Sequence, residues 1–246
     1  MTADSSTSLE PRQPAGNPES GYWLSFNPHA SEVAHQFCGD NEIPGTDCPN
    51  CMKPLLRILS LDARDVRVNL DPARIPFVHL FYCWTCSIPF GEFSYKIEKD
   101  GSIKTVKSLS EYEDAFGSDG PYDGYMGVFP LCHVALEPIS DEDQQKLCQW
   151  AESNEGDTED DVEALDRLAT PRHQVGGYPF IANPERTSCP ECGQDMPLLA
   201  TICDDSTGND PWGREEKVSF AGNGGVQMIF HLCRECSIVT AYHCCD

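Results

Sequence analysis

The sequence predicts a mostly β protein of α+β type, internally duplicated, in which two β-rich halves each carry a four-cysteine, zinc-ribbon-like site and are joined by short acidic helices. Three observations predict it. The phrase Cys-x-x-Cys-Ser-Ile stands at Cys83–Ile88 and again at Cys233–Ile238, each time after an apolar run. Longer blocks around the two copies match in the same order. Segments such as "FVHLFYCW", "GVQMIFHLC" and "SIVTAYHC" are dense in β-branched and aromatic residues, which suit a pleated, half-buried surface.

Taken in order, residues 1–20 are rich in Ser, Pro and other small or polar residues and cannot offset the entropy of ordering, so a disordered tail is expected. The first β-rich repeat spans 21–136. Its blocks are His35-Gln36-Phe37, "TDCPNCMKPLLRILSLD" and "FVHLFYCWTCSIPFGEF". The Asp-Gly of "KDGS" then supplies a tight hairpin between "EFSYKIE" and "SIKTVKS". The stretch "GSDGPYDGYMGVF" (117–129) reads as a surface turn leading into a strand over 128–136, although its tyrosines among glycines also suit a contact loop.

Residues 137–169 form an acidic connector. From Glu137 to Asp166 twelve acidic residues stand against the single Lys146. Ser140 with Asp143, and Thr158 with Asp161, have the form of helix N-caps, predicting helices over about 141–152 and 159–169. The second repeat, 170–246, opens on His173-Gln174-Val175, continues with "TSCPECGQDMPLLATICDD" and ends in "QMIFHLCRECSIVTAYH". Three blocks in the same order imply duplication, and a period this long implies related halves rather than a solenoid.

The repeated phrases belong to four C-x-x-C pairs: Cys48/Cys51, Cys83/Cys86, Cys189/Cys192 and Cys233/Cys236. Two cysteines at this spacing aim their sulfurs at one ion from a single turn, and two such turns supply a tetrahedron. The expectation is two zinc ions per chain, each held by two pairs in a structural site; iron satisfies the same geometry. Closed all-cysteine sites leave no coordination position for a reacting water, which makes them structural rather than catalytic. Gly193 after the second half's first knuckle can take a left-handed conformation, whereas Met52 at the matching place predicts a less regular turn. Of the other cysteines, Cys38, Cys132, Cys148 and Cys203 read as small buried hydrophobes, and the terminal pair Cys244-Cys245 stands out as a candidate for redox or metal exchange. His35 and His173 occupy matching positions and read as shared turn-holding hydrogen-bond partners. His79 and His231 precede the knuckles and read as strand residues able to support the sulfurs.

Forty acidic against 17 basic residues give a formal charge of −23. That charge repels phosphate backbones and anionic membranes, and it suits a basic protein partner. The N-terminus has no basic and apolar leader, and no stretch reaches the roughly 18 apolar residues of a membrane span, so a cytoplasmic protein is expected. Fourteen cysteines in a reducing compartment then point to metal before disulfides.

The Gly176-Gly177-Tyr178-Pro179 turn, the "CPECGQDMPLL" segment and the Gly224-Gly225 stretch before the last apolar strand resemble the YwqG-like family of bacterial proteins, a domain of unknown function. The resemblance covers about 75 residues of the second half well, and the first half more loosely. It implies a duplicated β-rich fold and brings no catalytic residues. The Cys48 to Leu56 run is similar to that of the eukaryotic programmed-cell-death-2 family, which implies a chaperone for a ribosomal-type protein. No H-E-x-x-H, P-loop, nucleophile-elbow or deaminase pattern is present. The function expected is therefore non-catalytic binding of a basic partner, as an immunity protein neutralising a toxin or as a dedicated chaperone. The alternatives are an enzyme site between the halves and metal storage or sensing.

Overall fold

The apolar runs of the two repeated blocks become paired strands in a computed structural model that describes residues 20–26, 34–71, 73–83, 93–108, 129–152, 173–178, 187–203 and 226–245. The early strands are β1 (Tyr22–Ser25), β2 (His35–Phe37), β3 (Leu56–Asp62), β4 (Phe77–Tyr82), β5 (Phe93–Ile97), β6 (Ile103–Ser108) and β7 (Cys132–Pro138). After the helix α1 (Asp141–Glu152) come β8 (Gln174–Val175), β9 (Leu198–Cys203), β10 (Val226–Cys233) and β11 (Ile238–Cys245). They form one curled antiparallel sheet in the order β4-β3-β2-β7-β1-β8-β9-β10-β11-β5-β6.

The two blocks pair in the same register. Gln36 faces Ser60 as Gln174 faces Thr201, and Ser60 faces His79 as Thr201 faces Ile229. A bulge interrupts both ladders at corresponding residues. In one the pairing skips from Arg57 to Leu59; in the other it skips from Leu198, opposite His231, to Ala200, opposite Phe230. β7 and β1 lie side by side between the two wings, with Trp23 facing Glu137 on one side and Gln174 on the other.

The two blocks differ after their second C-x-x-C pair. In the later copy, the turn 234–237 returns β11 directly onto β10. In the earlier copy Pro89 and Gly91 stand where Val239 and Ala241 extend that strand; proline has no N–H to give to a ladder. Residues 84–92 lie outside the described residues, and beyond them β5 pairs with β11 instead of with β4. The hairpin of β5 and β6 turns as expected on Asp100-Gly101. Gly101 takes φ 84°, its N–H reaches the Glu98 carbonyl at 3.0 Å, and the Glu98 N–H reaches the Ser102 carbonyl at 2.9 Å.

One apolar cluster fills the curl. Phe37, Leu59, Phe81, Phe93, Tyr95 and Phe230 are all buried in it, each contributing about 2 kcal/mol of transfer free energy relative to an exposed side chain. The Tyr95 hydroxyl donates to the His79 carbonyl at 2.8 Å and accepts from the Phe81 N–H at 3.2 Å. It thereby ties β5 to β4, at the far end of the strand order, and draws the curl together.

The first acidic helix forms over the predicted residues. The Ser140 hydroxyl accepts the Asp143 N–H at 3.1 Å, Asp141, Glu142 and Asp143 occupy the first turn, and Lys146 pairs with Glu142 at 2.8 Å. Leu147 is its buried anchor. The second expected helix (159–169), the N-terminal tail and most of the 117–129 loop fall outside the described residues. No helix among the described residues is long and apolar enough to cross a membrane.

Candidate metal centres

Each knuckle is shaped by backbone hydrogen bonds before any ion is considered. In the first half the Cys48 N–H donates to the Lys53 carbonyl at 2.8 Å, Met52 N–H to Cys48 at 2.9 Å and Leu55 N–H to Thr46 at 2.7 Å. In the second half Cys189 N–H donates to Gln194 at 2.8 Å, Gly193 N–H to Cys189 at 2.8 Å and Met196 N–H to Thr187 at 2.8 Å. The two turns therefore match bond for bond, and each is closed by an isolated bridge, Asp47 with Pro54 and Ser188 with Asp195.

The irregularity expected at Met52 is not there: Met52 adopts the left-handed φ of 59° that Gly193 reaches at 71°. A Cβ at Gly193 would touch nothing within 4 Å, so only the backbone conformation resists a side chain. Gly193→Ala is expected to cost about 1 kcal/mol in denaturant unfolding of the ion-loaded protein. Met52→Gly should change stability in the opposite direction by a few tenths to about 1 kcal/mol, and a clear loss would contradict this reading of the turn.

The knuckles bring the sulfurs together in two clusters, Cys189, Cys192, Cys233 and Cys236 in one and Cys48, Cys51 and Cys83 in the other, with all ligand atoms in each within 4.8 Å of one another. A Zn–S bond of about 2.3 Å places tetrahedral sulfurs about 3.8 Å apart. Cys192 Sγ lies 3.7 Å from Cys233 Sγ, and Cys51 Sγ lies 3.5 Å from Cys83 Sγ. No disulfide joins these cysteines, and the separations suit corners around one ion. Cys86, the expected fourth ligand of the first cluster, lies outside the described residues.

The four-cysteine cluster has its own apolar wall, with Met196 and Ile238 packed against Cys189, Cys233 and Cys236. Burial pushes the Cys189 thiol up, but N–H groups of Cys192 and Glu191 and the neighbouring thiols overcome it and leave Cys189 below the usual thiol value. Burial holds Cys233 and Cys236 above that value. The Cys236 N–H points to Cys233 Sγ at 3.5 Å, the turn N–H that favours a thiolate there once a cation is present.

His231 supports the same centre through the backbone of Met196. Its Nδ1 lies 2.9 Å from the Met196 carbonyl, which can only accept, so Nδ1 carries the proton and Nε2 receives the Tyr242 hydroxyl at 3.3 Å. His79 bonds to the Ser60 hydroxyl at 2.8 Å and lies between the Phe77 and Phe81 rings. Ser60 is fully buried, so this serine–histidine pair cannot reach a substrate.

His35 and His173 share a role, as their matching positions implied. Each Nδ1 accepts the N–H of the last residue of the following strand: Asp62 at 3.1 Å for His35 and Cys203 at 3.3 Å for His173. His35 therefore carries its proton on Nε2 and donates it to Asp65 at 2.9 Å. Sequence reasoning missed Asp62, Asp65 and their arginines. The signal was the doubled D-x-R of "DARDVR": Asp62 and Asp65 each cap the N–H two residues on and grip that residue's guanidinium.

A groove of about 210 Å³ opens between the wings, lined by Tyr22, Val66, Arg67, Val175, Leu199 and Arg234 among others. No Asp or Glu lines it, so the converging carboxylates of a hydrolase are missing from this cleft among the described residues. Arg67 is already engaged by Asp65 and the Leu136 carbonyl. Of the remaining cysteines, Cys38 and Cys203 are buried and Cys132 and Cys148 are partly buried; among the described residues none joins either cluster. Comparison with protein-family models, with curated proteins and with solved structures finds no match to this chain.

Proposed function

We propose that this is a non-catalytic binding protein whose two cysteine clusters hold structural ions, zinc first among them, and whose acidic surface meets a basic protein partner. The observation that carries the first half of this reading is the pair of matching knuckles, with sulfurs at separations suited to one tetrahedral ion. Cys86 holds the place in the earlier copy of the repeated phrase that Cys236 holds in the later one, and it would complete the first site as Cys236 does the second. A duplication of one ribbon-like unit is the simplest origin of the shared register and shared bulge.

The charge of −23 supports the second half. Complementary potentials speed encounter with a basic surface and reject acidic ones. The concrete form we put forward is an immunity protein that covers a basic toxin; a chaperone for a basic client shares the same physics. The test passes a host-cell lysate over immobilised, ion-loaded full chain at low salt and again at about 0.5 M salt, where the Debye length falls to about 4 Å. A basic protein retained in the first and released in the second is expected. Retention indifferent to salt, or of acidic proteins, would contradict the electrostatic reading.

A further inference from the structure

Among the described residues, the two clusters are tied into the fold differently. The first knuckle bonds to its own half: the Ile103 N–H donates to the Pro44 carbonyl at 3.1 Å, and the Ile103 carbonyl lies against Gly45. Both knuckles of the four-cysteine centre are instead gripped by residues from the earlier half. Lys96, in β5, reaches both carboxylate oxygens of Glu191 at 2.9 Å, between Cys189 and Cys192. Arg74 donates to the carbonyls of Arg234 (3.1 Å) and Glu235, between Cys233 and Cys236. Arg234 Nε returns a bond to the Asn69 carbonyl at 3.1 Å, and the Ile97 N–H donates to the Ser237 carbonyl at 2.8 Å.

These contacts frame one seam, where β5 pairs with β11 from Ala241 opposite Phe93 to Ile238 opposite Lys96. The seam is the point at which the early hairpin joins the later wing. Three of the bonds beside the seam end on carbonyls of one turn, those of Arg234, Glu235 and Ser237. Pairing of Cys233 with Ile238 closes that turn at its base, and an ion held by Cys233 and Cys236 would fix the direction of its carbonyls further. An unanchored turn would leave Arg74 and Ile97 without fixed partners, and each such bond contributes a modest net stabilisation that depends on that fixing.

We infer that the four-cysteine centre is a metal-dependent latch: with its ion bound the seam between β5 and β11 is closed, and with the ion withdrawn the seam opens while β2, β3 and β4 stay paired. This rests on the structural-ion reading, and its failure is distinguishable from the failure of that reading. The experiment measures hydrogen exchange of the full chain loaded with Zn²⁺, of Cys192→Ser, and of Arg74→Ala, with the zinc content of each. In Cys192→Ser one ion is lost, and exchange at 93–97 and 238–241 rises by about tenfold or more while 56–62 and 77–82 change little. In Arg74→Ala the zinc content is unchanged and exchange at the seam rises severalfold. Seam protection that survives loss of the ion overturns the latch, as does an unchanged seam in Arg74→Ala. A wild-type chain that takes up no zinc overturns the structural-ion reading itself.

Discussion

Cys233→Ser is expected to remove one ion per chain and to abolish cooperative unfolding of the segments that hold the four-cysteine centre. The apolar wall around that centre is small: Cys189, Met196, Cys233 and Ile238, with Cys236 at its edge. Hydrophobic burial on that scale is small, so the centre depends on the backbone hydrogen bonds of its knuckles and on a bound ion. An ion bound to structural cysteines supplies on the order of 10 kcal/mol at neutral pH, which in such sites is folding free energy. A chelator should therefore have an effect comparable with the substitution. Cys203→Ser is the control, since Cys203 is buried but lies in neither cluster. It should keep both ions and lose about 1–3 kcal/mol from placing a hydroxyl in a buried site. Equal effects of the two substitutions, with metal content unchanged in both, would remove the cluster from the stability of the fold.

Asp65→Ala should be the most damaging change away from the cysteines, costing about 3–5 kcal/mol in denaturant unfolding. Asp65 is buried and holds three groups at once: His35 Nε2–H, the Arg67 guanidinium and the Arg67 N–H. Removing it strands the His35 proton and leaves Arg67 with the Leu136 carbonyl and the Tyr22 ring, whose centroid lies 5.8 Å away. Burial pushes the Asp65 carboxyl up, but hydrogen bonds from Arg67 and His35 more than offset it and hold the group well below the usual carboxylate range. Asp62 is lowered to about 2, chiefly by its hydrogen bonds to the Arg64 side chain.

Acid should act in two stages with one sign. His79 is lowered to about 4 by burial, with the Arg57 charge adding to it. The unfolded chain takes up this proton near pH 6.5 and the folded chain only near pH 4, so stability present above 6.5 is lost as pH falls between them, by up to about 3 kcal/mol. Asp62 then loses its contribution between about pH 4 and pH 2, because its folded value is depressed below the unfolded one. His79→Phe should flatten the first stage and leave the second. An unchanged slope between about pH 6.5 and 4 in that variant would assign the acid sensitivity to another group.

Much of this was legible in the residues because it follows from local chemistry. C-x-x-C spacing fixes a turn, Ser140 before an acidic first turn fixes a helix start, and Asp100-Gly101 fixes a hairpin, each without reference to distant parts of the chain. The single sheet was not legible. Only tertiary pairing places β1 between β7 and β8, or sends the first block's hairpin to β11, and no local period encodes that choice. Met52 was misjudged for a similar reason: propensity disfavours its φ of 59°, and the bonds of the Cys48 turn impose it. His35 and His173 read from their matching positions as holders of hydrogen bonds, and His231 as a strand residue, yet the partners of His35 Nδ1 and His231 Nδ1 lie 27 and 35 residues away and only the fold names them.

The most direct measurement is the metal content of the purified full chain by elemental analysis, together with the metal-to-ligand distances from X-ray absorption. Two ions per chain, each with four sulfurs at about 2.3 Å, are expected. A chain that carries no metal while remaining folded would contradict the structural role given to the cysteine clusters.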